Sequence, residues 1–150
     1  MNRRDQIKLT PAEQSEFLRD CKKVALATIG KDGFPHLVAM NYIARDGAIY
    51  MTSYGKAQKV VNIRRNPMVA VMAERGRNYS ELRGVMIRGE CEIVEDPKTV
   101  DAIMRAIRQR DTGEAAIPPM PEKIVTKRVV LKVVPQKVTS WDHSKLGGRY

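Results

Sequence analysis

Val24-Ala25-Leu26-Ala27-Thr28-Ile29, then Gly30-Lys31-Asp32-Gly33, then His36-Leu37-Val38-Ala39-Met40-Asn41-Tyr42-Ile43, Arg45-Asp46-Gly47 and Ala48-Ile49-Tyr50-Met51-Thr52-Ser53 decide how this chain folds. Three apolar runs are separated by two reversals, each carrying Asp-Gly, a strong short-range sign of a hairpin. A parallel crossover needs a dozen or more residues, and neither junction has them. The runs therefore read as an antiparallel meander.

Working outward from the meander, the period changes on both sides. Towards the N-terminus, Thr10-Pro11-Ala12-Glu13 announces a helix running through Phe17 and Leu18 to Asp20. Thr10 can accept from the free backbone donors, Pro11 suits the first helical position, and Glu13 completes a capping box. Towards the C-terminus, Lys56 to Arg65 reads as a short helix with Ala57, Val60, Val61 and Arg64 on one side and Lys56, Lys59 and Asn62 on another. Asn66-Pro67 ends it, because a residue before proline avoids the helical region. Met68–Ala73 is a strand, and Leu82–Glu95 is a longer one, bent or bulged at Gly84 or Gly89. Asp96-Pro97 opens a helix with Val100, Ile103, Met104 and Ile107 along one face. Residues 115–121 hold three prolines and form an irregular loop. Val129–Val138 is the last strand, ahead of a polar tail, Trp141–Tyr150. Six antiparallel strands with short turns predict a closed or nearly closed barrel, which removes exposed edges. The fold class is mainly β, one domain over residues 1–150 with 141–150 as a C-terminal tail.

Composition narrows the function classes. The chain has 150 residues, 43% hydrophobic and 29% charged, which is ordinary for one globular core. Its apolar runs are too short to cross a bilayer, and no export leader precedes the first helix, so a cytoplasmic protein is expected. Cys21 and Cys91 lack the spacing of a metal site and read as reduced core residues. His36 and His143 are equally isolated, so no zinc site is expected. The net charge of +10 points to an anionic partner, either nucleic acid or a phosphate- or carboxylate-rich small molecule. Single-strand binders line their grooves with aromatics, and these are only 5% here, which weighs against nucleic acid.

The local feature with most chemistry in it is Met51-Thr52-Ser53-Tyr54-Gly55-Lys56-Ala57-Gln58-Lys59. A strand ends in hydroxyl residues, turns through glycine and starts a helix bearing Lys56 and Lys59. Helix starts offer free N–H groups and a partial positive charge, both favourable to phosphate. The same residues equally fit an ordinary capped helix with a solvated lysine face. Asn62, Arg64 and Arg65 extend the basic surface. Arg105, Arg108 and Arg110 gather near the end of the following helix, where positive charge is favourable in any case, and are left out of the site.

The pattern Ala27-Thr28-Ile29-Gly30, Asp32-Gly33, Pro35-His36, Thr52-Ser53 and Lys59-x-x-Asn62-Ile63-Arg64-Arg65-Asn66-Pro67 resembles the pyridoxamine-phosphate-oxidase-like split-barrel superfamily. The tail Ser140-Trp141-Asp142-His143-Ser144-Lys145-Leu146-Gly147 is similar to the branch that uses the 8-hydroxy-5-deazaflavin coenzyme F-420. The resemblance runs from about Thr10 to Gly147. It implies a homodimeric six-stranded split β-barrel with two cofactor sites at the subunit interface. It also implies oxidoreductase chemistry, with hydride passing between a deazaflavin and an unsaturated small molecule. Thr52, Ser53 and Lys59 match phosphate-binding positions, and Lys56 is a cofactor-binding candidate beside them. His36, Val38, Ala39, Met40 and Asn41 match the strand beside the ring system. Asn62, Arg64 and Arg65 match the helix beside the phosphate, and Trp141 and Lys145 belong to a tail expected to shape the pocket of its own or the partner subunit. Pyridoxamine phosphate oxidases themselves carry an arginine on the second strand, where this chain has Val38, and another where it has Gln58, which weighs against a vitamin B6 phosphate as substrate. The cofactor alternatives are coenzyme F-420 and FMN. A long basic surface suits the polyglutamate tail of the former, and no catalytic residue is singled out.

Overall fold

The chain is described by a computed structural model over residues 2–149; Met1 and Tyr150, the ends of the expected domain, lie outside the described residues. Both Asp-Gly reversals form hairpins. β1 (Lys23–Ile29) pairs antiparallel with β2 (Pro35–Asn41), and β3 (Ile43–Arg45) pairs with β4 (Ala48–Tyr54). Asp46 and Gly47 both lie in the left-handed region, at φ 50° and 76°, as a primed two-residue turn requires.

The expected second strand, His36–Ile43, is in fact two, so there are seven strands rather than six. After α3 (Gln58–Arg65) come β5 (Met68–Arg75), β6 (Arg83–Val94), α4 (Pro97–Thr112), α5 (Glu122–Val125) and β7 (Arg128–Asp142). The sheet order is β2-β1-β5-β6-β7-β4-β3. β2 and β3 are consecutive in the chain yet occupy opposite edges, so the sheet must curl until its edges meet. Tyr42 is the bend that permits this. Its side chain is fully buried, its hydroxyl donates to Leu18 O at 2.5 Å, and burial pushes the phenol up to about 12.

β6 and β7 form the longest ladder, broken by a register shift at Arg88/Gly89. The bulge falls at Gly89 because a Cβ there would stand 2.1 Å from Val134 O. Gly84 serves a different purpose: the Trp141 ring lies so close that a Cβ would meet it at 2.3 Å. β7 therefore reaches Asp142, and Trp141 belongs to the sheet rather than to a polar tail. A 3-10 turn, His143–Leu146, follows. The extra length is held by the N-terminal segment, through Asp142 N donating to Ile7 O at 2.7 Å and Leu9 N donating to Ser140 Oγ at 3.1 Å. A one-turn helix, α1 (Arg3–Gln6), precedes that segment.

α2 (Pro11–Asp20) starts with the expected capping box, Thr10 N to Glu13 Oε2 at 2.7 Å and Glu13 N to Thr10 Oγ1 at 3.2 Å. Leu26, Met51, Val71, Val85, Leu131 and Val133 fill the barrel, while Val100, Ile103 and Ile107 of α4 cover a second cluster with Ile43 and Val130. Cys21 and Cys91 are buried and free, and burial pushes the Cys91 thiol up to about 12. Among the described residues no helix is long and apolar enough to cross a membrane.

Candidate functional site

The barrel closes incompletely, and the opening defines the site. β2 pairs with β1 along one edge, and no strand pairs with the other. β4 is covered by β3 only over Ala48–Tyr50, which leaves Met51–Tyr54 with a free edge. The two free edges approach one another, and α3 begins just beyond the end of β4. Unpaired strand edges present rows of N–H and C=O groups able to read a planar heteroaromatic edge. A cavity of about 630 Å³ opens between the β1–β2 hairpin and α3, lined by Gly30, Lys31, Asp32, Phe34, Pro35, His36, Gln58 and Asn62.

α3 starts without a side-chain cap. Its N-cap is Ala57, and no side chain accepts from its first turn. Val60 N and Val61 N both bond to Ala57 O, while the N–H groups of Gln58 and Lys59 meet no backbone or side-chain acceptor among the described residues. An uncapped start leaves donors of the kind that favour anions, and no side chain caps this helix as an ordinary capped start would. The buried side of α3 also differs from the expected one. Val60, Asn62 and Ile63 are buried, whereas Val61 is exposed. Asn62 can be fully buried because its amide is satisfied internally, accepting from Gln58 Nε2 at 2.9 Å and donating to Thr28 Oγ1 at 3.0 Å.

Lys59 lies on the inward half of α3, one position before Val60 and four before Ile63, and is half-buried. It makes no ion pair or hydrogen bond among the described residues, so a full charge sits beside the free donors of the first turn with nothing to neutralise it. His36 lines the cavity with Nδ1 buried and without a hydrogen-bond partner. Buried unsatisfied nitrogens are uncommon, and this one stands in a cavity wall.

The remaining expected residues separate. Val38 is half-buried, and Ala39 and Asn41 are exposed on the other face of β2. Met40 is packed in the barrel core. Thr52 is half-buried on β4, while Ser53 is buried and donates to Tyr54 O at 3.1 Å. Arg65 donates to Ile29 O, pinning α3 to the end of β1. Lys56 and Arg64 line a separate cleft on the opposite flank of α3, where Arg64 bonds Glu95 at 2.6 Å. Trp141 Nε1 donates to Glu74 Oε2 at 2.8 Å, and Lys145 Nζ donates to Glu13 Oε2 and Lys8 O, both at 2.8 Å. Within one chain these two therefore hold the C-terminal end of β7 and the turn after it, and lie outside the cavity wall. Sequence reasoning passed over Gln58 and Thr28, the partners of Asn62; the i, i+4 spacing of Gln58 and Asn62 was the available signal.

A curled antiparallel barrel with an open edge, an uncapped helix start and a lysine without an ion-pair partner are brought together near the barrel seam. The profile of the pyridoxamine 5'-phosphate oxidase family matches residues 10–142, and the chain belongs to that family, whose oxidoreductase fold binds flavin-type cofactors. The conserved hypothetical protein Rv2991 from Mycobacterium tuberculosis is 37% identical, with 100% of this chain and 95% of that one covered and a TM-score of 0.87. A structure described as an F-420 reductase is 29% identical over 86% of this chain and 98% of its own, with a TM-score of 0.70. A putative 5-nitroimidazole antibiotic resistance protein from Bacteroides thetaiotaomicron shares the fold, at 18% identity, 89% and 84% coverage and a TM-score of 0.79. No protein of curated function matches the chain.

Proposed function

We propose that the protein is a homodimeric oxidoreductase that holds the deazaflavin coenzyme F-420 at the barrel seam and reduces an unsaturated small molecule. The observation that carries this reading is Lys59, half-buried and unpaired beside the free N–H groups of α3. The residues present fit such a coenzyme: a cation and helix donors for its phosphodiester, the free edge of β2 for its ring, and His36 Nδ1 for a polar atom between them. When bound, the reduced coenzyme supplies a hydride. The chain's own residues bind and orient it, and β2 backbone groups polarise the ring edge. The similarity to an F-420 reductase supports this cofactor over FMN.

The dimer reading rests on the outer face of the same sheet. Leu37, Ala27, Ala70 and Arg88 are paired across β2, β1, β5 and β6, and the next row is Ala39, Ala25, Met72 and Met86. Leu37 is 68% exposed, Met68 55% and Met72 39%, so among the described residues these apolar side chains stand open, with Arg88 beside them. A second copy would bury this face and bring a partner surface next to β2, in line with a cofactor site shared between subunits.

The deciding experiment is titration of the purified protein with coenzyme F-420 and with FMN, followed by fluorescence and analytical ultracentrifugation. Tight binding of the deazaflavin alone, by a dimer, is expected. Preference for FMN would overturn the cofactor assignment, and binding of neither would overturn the oxidoreductase reading.

A further inference from the structure

The flank of α3 opposite the cavity holds a second concentration of positive charge. A cleft of about 800 Å³ lies between the start of α3 and the α5–β7 junction, with Lys56, Arg64, Lys127 and Arg128 in its wall. Glu95 is the one carboxylate in the wall, and Arg64 already engages it at 2.6 Å. Lys56 and Lys127 have no carboxylate partner among the described residues.

The cleft is built rather than incidental. Tyr54 and Arg128 are directly paired across β4 and β7, and the Arg128 guanidinium lies over the Tyr54 ring at 4.1 Å. That stacking fixes the fork of the arginine. Arg128 Nε is nonetheless buried without a hydrogen-bond partner. Gly55 N donates to Lys127 O at 2.9 Å, which ties the turn before α3 to the strand bearing the two new cations. The cleft and the Lys59 site thus lie on either side of a single turn, residues 54–57, so a chain-like anion could engage both.

We propose that this cleft is a second anion subsite, taking an oligocarboxylate through Lys127, Arg128 and Lys56. The proposal rests on the cofactor reading above only as to source: the carboxylates could belong to the glutamate tail of the bound coenzyme or to an independent oligocarboxylate. Arginine offers a bidentate fork and lysine a point charge, and several separated cations favour several separated carboxylates over one compact phosphate.

Two measurements test it. The first is the affinity of wild type, Lys127→Gln and Arg128→Gln for coenzyme F-420 with its glutamate tail and for the tail-less form. Each variant is expected to weaken the tailed form about three- to tenfold and leave the tail-less form unchanged, since an exposed ion contact contributes about 1 kcal/mol at most and a buried fork somewhat more. The second is a titration of the wild type with free oligoglutamate at low salt, followed by backbone amide shifts. Shifts concentrated at Gly55, Lys127 and Arg128 are expected, and their absence overturns the subsite whether or not the protein binds any flavin. Equal loss of both coenzyme forms in the variants would show a general effect and also overturn it. Amide shifts with oligoglutamate, together with no advantage of the tailed coenzyme, would assign the cleft to an independent oligocarboxylate. Failure of the wild type to bind either coenzyme, with those shifts present, would remove the cofactor reading and keep the subsite.

Discussion

Replacing Arg110 by methionine is the most informative test of how the barrel seam is held. The sequence explanation of this arginine is favourable charge at a helix C-terminus, which applies equally to Arg108 on the same helix. The structure separates them. Arg110 donates to Tyr42 O, to Leu18 O at 3.2 Å and to Arg19 O at 2.9 Å, and its guanidinium lies over the Tyr42 ring at 4.4 Å. It therefore ties the end of α2 to the bend between β2 and β3. Arg108 meets only Glu114, at 3.5 Å, with both side chains about half exposed. A hydrogen bond from a charged donor contributes about 1.5–3 kcal/mol, but these three share one charge on a half-buried side chain. With a cation–π contact of about 0.5–1 kcal/mol, the expected loss for Arg110→Met is about 3–4 kcal/mol. Arg108→Met should cost about 0.5 kcal/mol or less. At about 2–4 °C per kcal/mol for a chain of this size, Arg110→Met lowers Tm by about 6–16 °C and Arg108→Met by about 2 °C or less. Calorimetry and urea unfolding of both variants provide the comparison. Small, equal losses would refute the tie and restore the helix-end explanation. Tyr42→Phe calibrates the site: Leu18 O keeps Arg110 as a donor, so removing the hydroxyl should cost only about 1 kcal/mol.

Lys59→Ala removes the unpaired charge at the seam and should weaken cofactor binding about tenfold or more with the dimer intact, because none of the described residues depends on that amine; unchanged affinity by fluorescence titration would remove Lys59 from the site. Gly84→Val forces the Trp141 ring from its seat, where even a Cβ would approach to 2.3 Å, so a loss of about 1–3 kcal/mol and an altered indole emission are expected. The Glu13 carboxyl is held below its ordinary value of 4.5 by its bond from Lys145 and then by Thr10 N–H. A carboxylate depressed in the folded state stabilises above that ordinary value and loses its contribution as pH falls through the depressed one. Lys145→Met should therefore lower Tm slightly at neutral pH, where that contribution is present, and converge with the wild type as pH falls below about 4.5, as thermal scans across pH would record. Met72→Glu places a charge in the apolar outer face and should shift the sedimentation profile from dimer to monomer without altering the far-ultraviolet circular dichroism.

What could be read from the sequence and what could not follows from how local each signal is. The hairpins, the Thr10 capping box and the Asn66-Pro67 stop depend on a few adjacent residues, and each stands where those residues put it; the bulge, open between Gly84 and Gly89 in the sequence, is fixed at Gly89 by Val134 of the neighbouring strand. The break at Tyr42 was hidden because the apolar run His36–Ile43 is continuous; only the tertiary fact that β1 and β4 are far apart in the sheet order divides it. Arg110, the Asn62 pair with Thr28 and the seating of Trp141 on Gly84 join positions far apart in the chain, so no window of sequence contains them. The alternation in β2 carries the same lesson for function. Leu37 and Ala39 face outward and are exposed, while His36, Val38 and Met40 face inward; Met40 lies in the barrel core and Val38 packs against it, which leaves His36 as the half-buried residue at the cavity. A strand apolar on one exposed side and unsatisfied on the other is costly in an isolated subunit. That cost is relieved on both sides if a second copy covers Leu37 and Ala39 and a flat polar ligand meets His36, which makes dimer formation and cofactor binding two consequences of the same seven residues, Pro35–Asn41.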